Sequence, residues 1–77
     1  MTLVITRSLD LKGLSCPMPI VKTAKAMKEL ASGDVVEVLA TDRGSQRDFA
    51  AWAKATGNTL VESSVSDKVY RYVLRKG

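Results

Sequence analysis

Residues 11–27 read LKGLSCPMPIVKTAKAM, and the fold turns on the change of period inside this stretch. Upstream, Leu3, Ile5, Leu9 and Leu11 fall at odd positions with Thr6, Ser8, Asp10 and Lys12 between them, and Arg7 breaks the apolar series once. A period of two predicts a half-buried strand, which Gly13 ends. Downstream, Ile20, Ala24, Met27 and Ala31 recur at steps of four, three and four, with Leu30 at the edge of the stripe. That period predicts an amphipathic helix. Its outer face carries Lys22, Lys25, Lys28 and Glu29, and Ser32-Gly33 supplies the stop.

Outward from this strand-turn-helix, DVVEVLATD (34–42) is almost continuously apolar and predicts a central strand covered on at least one face. GSQRDFAAWAKATGN (44–58) predicts a second helix. Ser45 and Asp48 have the spacing of a capping box, Phe49, Trp52, Ala53 and Thr56 share one face, and Gly57 ends it. Trp52 reads as packing in that stripe. TLVESSVS (59–66) and VYRYVLRKG (69–77) predict two strands joined by a hairpin at Asp67-Lys68, with Tyr70, Tyr72 and Leu74 on one face of the last. The order β-α-β-α-β-β predicts an α/β two-layer sandwich. Two helices cover one face of a four-stranded mixed sheet and leave the other open.

The chain has 77 residues, a formal net charge of +4, one cysteine and no histidine. That length suits one domain, residues 1–77. A single cysteine excludes an internal disulfide. Without histidine, and with its acids scattered, the chain offers no ligand set for a metal, and no cofactor is expected. No apolar run approaches the roughly 20 residues that span a bilayer. The N-terminal residues do not read as a signal peptide, so a cytoplasmic location is expected. The positive charge favours an acidic partner. The chain lacks a dense basic run interleaved with aromatics, so direct nucleic-acid binding is not expected.

Cys16 is followed by Pro17 and Pro19. Pro17 suits the first helical position, where a missing N–H costs nothing, and Cys16 is then the natural N-cap. Pro19 at the third position is still tolerated, because its N–H would have lacked an intrahelical partner. A sulfur at the N-cap faces the Met18 amide and the positive end of the helix dipole, and Lys22 adds to the field. All three favour thiolate over thiol. A cysteine acyltransferase would need a base, and dithiol redox chemistry a second cysteine. Neither is present. What remains is a thiolate that attacks, holds a group covalently and passes it on, sulfur itself included. The alternatives are an RNA-binding or regulatory interaction module that leaves Cys16 unused.

Cys16-Pro17-Met18-Pro19, preceded by Leu9-Asp10 and Gly13-Leu14, resembles the Cys-Pro-X-Pro hallmark of the TusA or SirA-like sulfur-carrier family. The similarity extends through Gly33, Thr41-Asp42, Asp48, Phe49, Trp52, Gly57 and the closing YRYVLRKG. The resemblance implies a sandwich like the C-terminal domain of translation initiation factor 3. It implies a sulfur-carrier domain in which Cys16 is the persulfide-forming nucleophile, with Pro17, Met18 and Pro19 as its support. It further implies a donor protein, a cysteine desulfurase, a rhodanese or a DsrE-like protein, and an acceptor, DsrE-like or a relay toward tRNA 2-thiouridine, in tRNA thiolation or in sulfur-oxidation trafficking. On the helix that presents Cys16, Lys22, Lys25 and Lys28 are the expected docking face for an acidic partner.

Overall fold

Val36, Val38 and Ala40 are each 0% exposed, and their alternation organises the sheet around β2 (Val35–Ala40). The computed structural model describes residues 4–15 and 17–77. Around β2 stand β1 (Arg7–Asp10), α1 (Met18–Lys28), α2 (Ser45–Thr56), β3 (Thr59–Ser66) and β4 (Val69–Arg75), in the expected β-α-β-α-β-β order. The strands lie β1-β2-β4-β3 in one sheet. β1 is parallel to β2, β4 antiparallel to β2, and β3 antiparallel to β4. A parallel pair needs a crossover, and α1 supplies it.

Register decides which side chains meet the helices. Leu9 and Tyr72 both pair with Val38, and Leu74 pairs with Val36. This row forms the core with Met27 of α1 and with Phe49 and Ala53 of α2. Both helices therefore bury their faces against the same side of the sheet, giving the α/β two-layer sandwich. The rings of Phe49 and Tyr72 stack with centroids 4.6 Å apart, and Trp52 meets the Phe49 edge from the margin of the core.

Two local expectations change, at the α1 stripe and at the start of α2. The buried stripe of α1 is Pro19, Thr23, Ala26 and Met27, while Ile20 and Ala24 are half-buried and Ala31 is exposed beyond the helix end. Thr23 is 0% exposed because its hydroxyl donates to the Pro19 carbonyl at 2.8 Å, which removes the cost of burying it. Ser45 is the first residue of α2 and Gly44 its N-cap, with no side-chain capping bond. The Ser45 hydroxyl instead pairs with the Tyr72 phenol inside the core. Arg7 belongs to β1, and its pairing with Val36 puts it on the helix side, where it donates to Glu29 at 2.8 Å. Leu3 lies outside the described residues.

The open face carries a polar chain. Ser8 donates to Glu37, and Arg71 reaches Glu37 at 2.7 Å and Glu62 at 3.0 Å. Val73, between Glu37 and Glu62 in the register, is nevertheless 1% exposed. A bulge at Val61 lets Leu60 and Val65 both lie on the helix side while Glu62 turns to Arg71. The end of α1 is tied down by Lys76, whose ammonium donates to the Met27 and Leu30 carbonyls, a favoured site for a cation. Among the described residues, no helix is long and apolar enough to cross a membrane.

Candidate functional site

The parallel pairing of β1 and β2 sends the loop after β1 and the loop after β2 out at one edge of the sheet. Each amide of residues 11–14 has a partner there. Leu11 N–H donates to the Leu39 carbonyl at 2.8 Å, which extends the ladder past the end of β1. Lys12 N–H donates to the Asp10 carboxylate at 3.2 Å, a side-chain turn typical of aspartate. Gly13 adopts φ 86°, a conformation open to glycine, and its N–H donates to Thr41 Oγ1 at 2.9 Å. Leu14 N–H donates back to Leu11 at 3.3 Å. The segment leading into the motif is thus held by backbone bonds and by a side chain from the neighbouring strand end.

On the other side of the motif, Pro17 precedes α1 and its carbonyl accepts from Val21 N–H at 3.1 Å. The helix begins at Met18, one residue later than expected, so Pro17 occupies the N-cap position and Pro19 the second helical position. Pro17 is exposed, Met18 is 39% exposed and Pro19 is buried. The expectation that the Met18 amide is free for the sulfur is corrected: it donates to the Ser15 carbonyl at 2.9 Å. The reason is local. Prolines at 17 and 19 supply no N–H, and the chain closes a turn with the one donor between them. The N-cap expected at Cys16 is corrected to Pro17, because the helix starts one residue later; Cys16 itself lies outside the described residues, and with it the thiolate expectation.

Lys22, Lys25 and Lys28 are all exposed on α1. At about 1.5 Å rise per residue, they stand about 6, 10 and 15 Å along the axis from Met18. Lys22 is therefore near the motif, while Lys28 belongs to the far end, in a groove with Trp52 and Lys76. Met18 and Val21, 39% and 51% exposed, add an apolar strip beside Lys22.

Several contributors were not expected from the sequence. Thr41 braces the loop across 28 residues of sequence. The parallel register has an offset of 29, as in Leu9 opposite Val38, and this offset carries Lys12 onto Thr41. The brace was in principle legible once the two strands were paired. At the same edge, Thr41, Arg43, Val65, Lys68 and Tyr70 line a cleft of about 350 Å³. Asp67 and Lys68 form the hairpin turn with φ 50° and 65°, both in the left-handed region that glycine or asparagine usually fills. Nothing in the local sequence pairs Arg43 with Lys68.

Arg7, by hydrogen bond and by charge, holds the Glu29 carboxyl below its usual value of 4.5. The Glu37 hydrogen bond raises Arg71 further. Burial pushes the Tyr72 phenol above its usual value of 10.0.

The profile of the family described as Sulfurtransferase TusA matches residues 7–76. YrkF of Bacillus subtilis is 54% identical over 90% of this chain, which spans 37% of the length of YrkF. The sulfur carrier protein TusA of Allochromatium vinosum is 43% identical, over 91% of this chain and 92% of its own. The crystal structure of a SirA-like protein from Desulfitobacterium hafniense superposes with a TM-score of 0.83 at 28% identity, covering 94% of this chain and 99% of its own.

Proposed function

We propose that this chain, which belongs to the sulfurtransferase TusA family, carries sulfane sulfur as a persulfide on Cys16. The observation that carries the reading is the match of the family profile over residues 7–76, in a chain whose only cysteine stands in the Cys-Pro-Met-Pro segment. In the proposed step the Cys16 thiolate attacks the outer sulfur of a donor persulfide. The donor S–S bond breaks as the new S–S bond forms, the donor cysteine leaves as a thiolate, and no oxidant is consumed. Passage to the acceptor repeats the exchange with Cys16 as the leaving thiolate. With no histidine in the chain, proton handling falls to the partner proteins.

The supporting residues act by position. Loop bonds at residues 11–14 and the Ser15–Met18 turn hold both flanks of Cys16, and buried Pro19 anchors the helix start. Lys22, nearest of the three lysines to the motif, acts on the approach of an acidic partner. Lys25 and Lys28 extend that field along α1. The donor is a cysteine desulfurase or a rhodanese, and the acceptor a DsrE-like protein or a relay toward thiolated tRNA. An RNA-binding reading is less supported, since Phe49 and Tyr72 are both 0% exposed and offer no stacking surface.

The test is intact mass without reductant, after incubation with a desulfurase and cysteine or with a rhodanese and thiosulfate. Wild type gains one or more sulfur atoms and Cys16→Ser gains none. No gain with any donor, or equal gain in Cys16→Ser, overturns the reading.

A further inference from the structure

Three loops crowd the edge of the sheet from which the motif departs. They are the loop after β1 that leads to Cys16, the loop after β2 that leads into α2, and the β3–β4 turn. Between the last two lies the cleft of about 350 Å³ lined by Thr41, Arg43, Val65, Lys68 and Tyr70. In sheets with parallel strands, ligands commonly bind beyond the carboxyl ends of those strands, and this is such an edge.

The lining has a consistent chemistry. Arg43 and Lys68 are both exposed, and none of the ion pairs among the described residues involves either. Among the described residues Arg7 pairs with Glu29 and Arg71 with Glu37 and Glu62, while Arg47 and Arg75, like Arg43, enter no ion pair. Thr41 Oγ1 accepts from Gly13 N–H, and among the described residues its own proton has no acceptor. Tyr70 is half-buried in the wall and brings a phenol, while Val65, 54% exposed, gives an apolar floor. Two cations without an ion pair among the described residues, a hydroxyl and a phenol around an apolar patch suit carboxylate side chains on a short peptide segment.

Backbone conformation points the same way. Lys68 holds φ 65° in a two-residue turn where glycine would be unstrained. A long cationic side chain retained in that conformation is a local cost without a structural return in the fold. Residues held in sparsely populated backbone regions cluster at functional sites, which supports a role for the side chain presented here.

We propose that the cleft between Arg43 and Lys68 receives an acidic segment of a sulfur-exchanging partner protein, seated beside the loop that carries Cys16. The inference rests on the carrier reading above and deepens it by naming a docking surface separate from the lysine face of α1. Thr41 links the two, since the side chain that lines the cleft also holds Gly13, three residues before Cys16. Charge in such a cleft steers approach and fixes register, and salt weakens it.

The test titrates an acetylated hexaglutamate peptide into isotope-labelled Cys16→Ser protein and follows backbone amide shifts. Saturable shifts are expected at Thr41, Arg43, Lys68 and Tyr70, weaker at high salt. Arg43→Gln should weaken binding at least threefold, and Lys68→Gly likewise. The glycine variant should match or exceed wild-type thermal stability, because it relieves the left-handed residue. Shifts confined to Lys22, Lys25 and Lys28, or affinity unchanged in both variants, overturn the proposal. So does an oligouridylate that occupies the cleft when the peptide does not. The protein used here has no thiol, so failure leaves the sulfur-loading result intact, and failed sulfur loading leaves the peptide result intact.

Discussion

The Ser45 hydroxyl and the Tyr72 phenol lie 2.6 Å apart in the core, 2% and 0% exposed. The first residue of α2 is thereby fastened to the middle of β4. Removing either partner leaves the other buried without a hydrogen bond, at a cost of about 1–3 kcal/mol. Ser45→Ala and Tyr72→Phe should each lower stability by about that much in denaturant melts, and the double variant by less than the sum. Tyr72 also carries a pH signature. Its folded pKa is raised, so its contribution is intact below its usual value of 10.0 and fades as pH climbs through the raised one. Tyr72→Phe should be the less pH-sensitive protein in that alkaline range. Equal alkaline slopes would show that the phenol is not desolvated.

Pro19 is buried and its carbonyl accepts the buried Thr23 hydroxyl. A proline serving only to start a helix could be replaced by alanine with no loss. Here the ring fills core space, so Pro19→Ala should destabilise by about 1 kcal/mol, the order expected for loss of one or two buried methylenes. It should also slow single-turnover sulfur transfer to a partner, by shifting the start of α1. Unchanged melting together with unchanged transfer would remove both roles.

Thr41→Val separates loop order from global stability. The Gly13 amide is exposed and can bond water, so the melting temperature should barely move. Hydrogen exchange at Gly13 should accelerate severalfold, and sulfur transfer should slow while the fold is kept. Unaltered exchange at Gly13 would mean that Thr41 does not restrain the loop.

Arg7 and Glu29 bind the first strand to the end of α1 on the surface. The lowered Glu29 pKa fixes the sign: the contribution is present above its usual value of 4.5 and disappears as pH falls through the lowered folded value. Arg7→Leu should return the Glu29 carboxyl toward 4.5 in an NMR titration. Its stability deficit should be small and vanish in acid, as for exposed pairs generally. A Glu29 titration unmoved by the substitution would show that the pair does not form in solution.

The sequence carried the architecture because period and punctuation agreed. Gly13 and Gly57 mark real ends, and Asp67-Lys68 is the hairpin turn. It missed what depends on partners distant in the chain. Thr23 reads as polar until Pro19 accepts its proton, so the α1 stripe was set one residue off. Ser45 and Asp48 have capping-box spacing, but Tyr72, 27 residues away, takes the hydroxyl. The Met18 amide was misassigned because the Ser15 turn competes for it. The Arg43–Lys68 cleft joins two loops that no local pattern connects.

The bulge at Val61 has a consequence for life at high concentration. β3 is an outermost strand of eight residues, exposed over most of its length, with Glu62 its only charge. A flat strand of that kind offers a ready ladder to a second molecule. The extra residue breaks the regular spacing of the ladder groups along its edge and adds twist, which works against two copies zipping along it. Deleting Val61 would restore an even ladder while keeping Leu60 and Glu62 on their present faces. The expected result is a carrier of similar fold that self-associates as it is concentrated.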